Sequence, residues 1–568
     1  MRNEASESAV SGWGIKRVIV PLLVAMFILV ALFGQYFLGP PNIHSARTLT
    51  MMCELIAIVY WLLNSPFGLA WRGFKAIRVF GSLWILIGVI GVAFATYSVA
   101  SALISEAEWI CHFIFFVAMT DLVAKKTVRP RDIFIGLITA FFFVLVFLAR
   151  RWTVIVDPTH FNWVWGVDPF LNIRHVAFLG LPAFIATLAF VFSRSRVEAM
   201  IGTLLAGLFL GCLFWAGGRA SIGAALVALF AATIYGFLKH QVPMGRSVGM
   251  VVLILGLAFG LAELFHVDNA SMGLSLFHGR DEAGTMNQLS SGRWGLWKSA
   301  WAEMSIPERL TGIGVDNYRY LPGRLDSTVQ PHSVIVQAFA SWGLVGSVVF
   351  LSGLAWLVIR VCVQTWKSNQ NEALFSWGST IIVLLLLGSA LLSFVDGNLY
   401  HSWSTMIVVS ILAASLTVSP KSDSDAVPVV STASKPLGVS WLYVSGILIV
   451  VTVLQFMNNA IVFGNRVPAP GSSKAGLVMM LPYNTLTVGQ WLPFWQQESQ
   501  VEMVRLLQWL EDNAADRYRF MLIESQMLTA NGYQKEARQK YEQALAWAPK
   551  AERIRLEELG PPKDSPGE

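Results

Sequence analysis

Charge is what this chain has least of. Asp, Glu, Lys and Arg make up 13% of its 568 residues, against about 25% in an average soluble domain. Hydrophobic residues reach 55% and mean hydropathy is +0.58, which excludes an ordinary soluble protein. Cysteine is nearly absent. Cys53, Cys111, Cys212 and Cys362 lie in or beside apolar runs, and their spacing fits neither a disulfide framework nor a zinc site. They read as small buried hydrophobes. There is no H-x-x-x-H, no D-x-D on a segment expected to face outward, no P-loop and no dinucleotide fingerprint. No metal, cofactor or nucleic-acid partner is expected, and ATP-driven transport is disfavoured. An alternating barrel pattern is also missing, so any membrane spans must be helices.

What is present is a succession of apolar runs, each about 17 or more residues long and able to cross a hydrocarbon core. Spans are expected at 18–38, 46–63, 79–98, 103–123, 133–149, 176–192, 200–216, 220–238, 248–265, 333–359, 374–394, 403–418 and 437–457. The run at 46–63 carries Glu54, and 200–238 could be one unit broken around Gly217-Gly218-Arg219. The first run reads as an uncleaved span, because no small-residue cleavage site follows it. The expected fold is all-α: a polytopic bundle of about 12–13 transmembrane helices with a large outer loop and a small helical soluble domain.

Lysine and arginine in the short loops give the orientation. With the N-terminus in the cytoplasm, the inner segments carry Arg2, Lys16, Arg17, Arg72, Lys75, Arg78, Lys125, Lys126, Arg129, Arg131, Arg194, Arg196, Lys239, Arg246, Arg360, Lys367, Lys421 and Lys435. The outer short loops carry Arg47, Arg150, Arg151, Arg174 and Arg219. The loop 266–332 then faces outward. Residues 1–418 form the membrane domain, 419–436 a Ser/Pro/Asp-rich linker, 437–457 the last span and 458–568 an outward-facing helical domain. Within that domain, YRFMLIESQMLTANGYQKEARQKYEQALAWAP resembles one tetratricopeptide repeat. A single repeat cannot bury its own face, so packing on neighbouring helices is expected. Docking of a partner and a purely structural role are equally compatible with it.

The stretch 290–349 is the longest polar-rich interruption of the membrane domain. Arg293, Lys298, Arg309, Arg319 and Arg324 lie in it, with Arg280 just upstream. Arg324 is expected to be a solvent-exposed loop residue. His332 follows Pro331 at the mouth of an apolar run, where it can be a base, a phosphate donor or an interfacial filler. Helix N-termini attract phosphate through free N–H groups. Arg219, between two spans, is costly in lipid unless it faces a polar cavity. Arg293 opens RWGLWKSAW, which reads as an interfacial helix with Trp294, Trp297 and Trp301 on it. Arg174-His175 and Asp396 stand at outer ends of spans, and each alone could be a solvated cap.

Taken in order, Gly-Gly-Arg219-Ala-Ser, Ser-Gly-Arg293 with Trp297, Gly312-Ile-Gly314-Val-Asp316-Asn-Tyr318, Pro331-His332-Ser333 with Gln337, and Trp342-Gly343-Leu-Val-Gly346 resemble the O-antigen ligase family. That family also includes O-antigen polymerases and O-linked protein oligosaccharyltransferases. The resemblance covers about 170–400. Many relatives have Asn after the histidine, where this chain has Ser333. The resemblance implies a metal-independent, inverting membrane glycosyltransferase whose donor is a glycan on undecaprenyl pyrophosphate. By motif, Arg219 and Arg293 would hold the pyrophosphate and His332 would activate the acceptor hydroxyl. Arg174, His175, Asp316, Tyr318, Gln337 and Asp396 would support them. The acceptor expected first is lipid A-core, in lipopolysaccharide biosynthesis; a protein hydroxyl or another lipid-linked repeat unit is the alternative. A transporter of lipid-linked sugars is a more distant reading, and no inverted repeat supports it.

Overall fold

The protein is described from a computed structural model, covering residues 4–34, 43–64, 75–164, 167, 169–170, 172–193, 195–238, 243–268, 272–273, 292–322, 324–325, 329–368, 376–416, 448–449, 452–453, 500–514 and 517–561. Among these residues every regular element is helical. The bundle comprises α1 (Glu4–Phe33), α2 (Ile43–Asn64), α3 (Lys75–Ala93), α4 (Val99–Ala124), α5 (Pro130–Val154), α6 (Ala177–Val191), α7 (Arg196–Ala216), α8 (Arg219–Leu238) and α9 (Met244–Leu264). Short α10 (Arg293–Glu303) and α11 (Ile306–Thr311) follow, then α12 (Val334–Ser368), α13 (Ser376–Val395) and α14 (Ser402–Leu416). Four more helices close the chain: α15 (Gln500–Asn513), α16 (Arg517–Ala530), α17 (Gln534–Trp547) and α18 (Lys550–Leu559).

Ten of these helices are long and apolar enough to cross a membrane, and Val18–Phe33 and Ser402–Leu416 are shorter apolar helices. The chain is a polytopic helical membrane protein, and twelve of the thirteen expected spans coincide with them. The thirteenth, 437–457, falls largely outside the described residues, as do the linker, the stretch 459–497 and Arg280. The 200–238 region is two helices. Gly217 ends α7 in the left-handed region, φ 74°, where glycine carries no Cβ penalty. The expected span 79–98 stops earlier, because α3 ends at Ala93 and Ser98 caps α4 by accepting from the Ser101 N–H.

Two helices sit at the centre. α6 is buried along nearly its whole length and packs against α5, α7, α8 and α13. α14 packs against α2, α4 and α13 and is likewise enclosed. Helices buried on all sides need no amphipathic stripe, which is why both read as uniformly apolar. The outer helices keep exposed apolar faces, such as Val227, Phe230 and Ile234 on α8, facing where lipid would lie.

Helix α12 is broken at Gly343, which takes φ 64° and ψ −171°. The segment 306–320 crosses the break. Ile313 donates its N–H to the Ala340 carbonyl at 2.8 Å. A Cβ on Gly312 would lie 2.6 Å from Gly343 N, and one on Gly343 would lie 2.2 Å from the Leu310 carbonyl oxygen. Both glycines are required by this backbone crossing. Trp342 locks the break by donating its indole N–H to Glu106 Oε2 at 3.0 Å.

Candidate active site

His332 has φ 51°, an uncommon left-handed conformation for a non-glycine residue. It is fixed from both sides. The preceding Pro331 carbonyl accepts from Trp297 Nε1 at 2.8 Å, and the following Ser333 accepts the Gln337 N–H at its carbonyl at 2.8 Å. The imidazole Nδ1 stands 3.3 Å from Asp396 Oδ1. The other carboxylate oxygen, Oδ2, stands 3.3 Å from Arg293 Nη2. Arg293 also donates through Nη1 to the carbonyl of Val395, the last residue of α13. One carboxylate therefore joins the first residue of α10, the end of α13 and the second residue ahead of α12.

The pieces can meet because Gly397 lets Gln330 approach. A Cβ there would lie 2.0 Å from Gln330 Oε1. Burial alone would raise the Asp396 carboxyl, but the hydrogen bond from His332 and the charges of Arg293 and His332 outweigh it and hold the group well below the usual carboxylate range. An ionised carboxylate is an acceptor only. His332 Nδ1 must then carry the hydrogen, which leaves Nε2 as the only ring nitrogen that can accept a proton. The His332 side chain is 25% exposed, so that nitrogen can be reached.

Behind this group two more histidines pack. The His175 ring lies 4.3 Å from that of His401 and stacks on Phe178 at 5.0 Å. His401 is buried, and burial pushes its pKa well below the ordinary value, so it stays neutral. Arg174 is partly buried beside them and begins the turn into α6, its N–H bonded to Asn172 Oδ1. Arg219 opens α8 with an exposed side chain. α8 packs against α6 and α13.

Not every expected supporting residue lies against His332. Asp316 and Gln337 line a small chamber with Arg47, Glu108 and Tyr400. Tyr318 instead packs in an apolar cluster with Ala300, Met304, Ile313 and Leu321. Arg324 is not on the surface: it is 1% exposed, beneath the C-terminal helices, and its carbonyl accepts the Lys550 N–H at 3.1 Å. Sequence reasoning also passed over Glu106, Glu108 and His112. Ionisable residues inside an apolar run were the available signal.

An apolar groove of about 170 Å³ runs between α3, α4, α12, α13 and α14. Ile77, Phe116 and Leu412 lie along its length, and Val334, Phe394 and Leu399 line it close to His332 and Asp396. Residues 181–351 match the family model described as O-Antigen ligase. The chain carries an O-antigen ligase family domain. The family domain contains Arg219, Arg293 and His332, whereas Arg174, His175 and Asp396 lie outside it. No curated protein matches the chain. The O-antigen ligase family points to a membrane glycosyltransferase of the ligase or polymerase type.

Proposed function

We propose that the protein transfers a glycan from undecaprenyl pyrophosphate to an acceptor hydroxyl at the periplasmic face of the bacterial inner membrane, with lipid A-core as the first acceptor. The observation that carries this reading is the Arg293–Asp396–His332 bridge, with an apolar groove lined by the neighbouring Val334 and Phe394. The groove suits an isoprenoid chain, because it is lined by Phe, Trp, Leu and Val.

In this mechanism the acceptor hydroxyl hydrogen-bonds to His332 Nε2, which takes its proton as the oxygen attacks the anomeric carbon. The glycosyl–oxygen bond to the pyrophosphate breaks, and both bonding electrons leave with the phosphate oxygen. Asp396 keeps the ring in the right tautomer and stabilises the imidazolium as it forms. Arginine forks match phosphate geometry, so Arg293 and Arg219 are assigned to the leaving group. Arg293 is oriented for that by its bonds to Asp396 and the Val395 carbonyl. The donor is already activated, so positioning and charge stabilisation supply the acceleration. One-sided attack with a single displacement inverts the anomeric centre.

The acceptor is tested genetically. Removing the protein from its host should abolish long-chain lipopolysaccharide. Loss of glycosylated protein alone, or of polymer length alone, would replace lipid A-core by the corresponding acceptor.

A further inference from the structure

A second polar group lies under the site and holds no ligand-sized space. Asp316 is the hub. Its Oδ2 accepts from Arg47 Nη1 at 2.8 Å, and its Oδ1 accepts from Arg319 Nη2 at 2.8 Å and from the Tyr400 hydroxyl at 3.0 Å. Arg319 Nη2 also donates to that hydroxyl at 2.5 Å. Arg47 Nε lies 3.3 Å from Glu108 Oε2, and Glu108 Oε1 accepts from the Ser402 hydroxyl. The Asp316 and Glu108 side chains are 1% and 7% exposed, and those of Arg47 and Arg319 are 8% and 10%. The chamber among them measures about 10 Å³, room for one water at most, since a water needs roughly 10–15 Å³. A small-molecule site is excluded by size.

Two arginines face two carboxylates, so the group is balanced in charge. Buried ion pairs of this kind seldom add stability beyond that of an apolar replacement. Their effect is geometric. Asp316 itself sits at φ 60°, in the turn that crosses the Gly343 break. Tyr400 belongs to the turn 396–401, where its N–H donates to the Gly397 carbonyl at 2.9 Å. Gly397 N in turn bonds Asp396 Oδ1 at 2.8 Å. The turn that presents Asp396 is thus pinned at Tyr400 by Asp316 and just past its end, at Ser402, by Glu108.

We propose that Asp316 is a positioning residue: by holding Tyr400 it fixes the 396–401 turn, and with it the Asp396 carboxylate against His332. It touches no reacting atom. The inference rests on the transfer reading above, and it makes the charged residues of α2 and α4 part of the active site's support.

The test is a double-mutant cycle on the full-length protein in proteoliposomes. Tyr400→Phe removes only the hydroxyl and leaves Arg47, Asp316 and Arg319 paired. Asp316→Asn keeps shape and tolerates the left-handed backbone. Each should lower kcat at least about tenfold with donor KM changed less than about twofold, because orientation and not binding is lost. The double variant should be no worse than the poorer single one within about twofold, since both act through one contact. Thermal unfolding measured in parallel identifies damaged folding. A Tyr400→Phe protein with full kcat, or singles whose effects multiply, would overturn the proposal. His332→Ala is the reference: if it transfers normally, the transfer reading itself fails, whichever way the cycle comes out.

Discussion

Replacing Asp396 by Asn changes one charge and almost no volume, and its consequence can be worked from the geometry. The carboxylate lies 3.3 Å from His332 Nδ1. A full imidazolium at that distance is stabilised by about 5 kcal/mol at an effective dielectric of about 20. With proton transfer about half complete in the transition state, the catalytic share is about 2.5 kcal/mol, or roughly 70-fold in kcat. Asn can also turn its amide nitrogen toward the ring and favour the wrong tautomer, so this is a lower bound. Arg293 loses its partner at the same time, which would alter donor KM if the arginine moves. The assay is initial-rate transfer from a lipid-pyrophosphate-linked glycan by reconstituted protein, with kcat and KM separated. An Asp396→Asn protein within about threefold of wild type in kcat would refute the assignment of an orienting carboxylate. The Asp396 carboxyl is depressed in the folded protein. Its contribution is therefore present above the unfolded carboxylate range and is lost only as pH falls through the lower folded value. Across neutral and mildly acidic pH its charge is constant, and no limb of the pH–rate profile there should vanish in the variant.

Three further outcomes are expected. Gly343→Ala should cost more than about 2 kcal/mol, seen as a lower unfolding temperature and poor yield, because its Cβ would lie 2.2 Å from a carbonyl oxygen at a positive φ. Arg517 stacks between the Tyr320 and Trp547 rings at 5.4 and 4.4 Å, so Arg517→Ala should loosen the C-terminal helices from the loop, read as faster proteolysis between 453 and 517. Burial and a hydrogen bond to Glu524 raise Glu511 to about 7, against the pull of Lys540. The folded state then binds that proton more tightly than the unfolded state. Its stabilising effect is present at pH 5 and fades as pH rises through about 7, and Glu511→Gln should flatten the pH dependence of amide protection in 500–513.

The spans were legible because lipid-facing helices are long, uniformly apolar runs, and glycine 217 marked the break between two of them. Arg293 and His332 stood out by type and position, and the structure brings both against Asp396. Asp396 was visible only as a cap, because what makes it the bridge is contact between segments about 60 and 100 residues away along the chain. Arg324 looked like a surface residue because nothing local tells of the C-terminal helices that cover it. Asp316 was named from its motif but its partners were not, and Glu108 was passed over, for the same reason: a buried charge is recognised by its partners, and Arg47 lies 269 residues from Asp316. Tyr318 shared a motif with Asp316, yet the 3-10 turn Asn317–Tyr320 sends the two side chains into different surroundings.

The most direct measurement compares wild-type and His332→Ala protein, purified and reconstituted, supplied with an undecaprenyl-pyrophosphate-linked glycan and lipid A-core. The account predicts transfer by the wild type and a loss of at least about a hundredfold in the variant, the contribution of a general base, with folding and donor binding retained. Transfer at the wild-type rate by His332→Ala would contradict it.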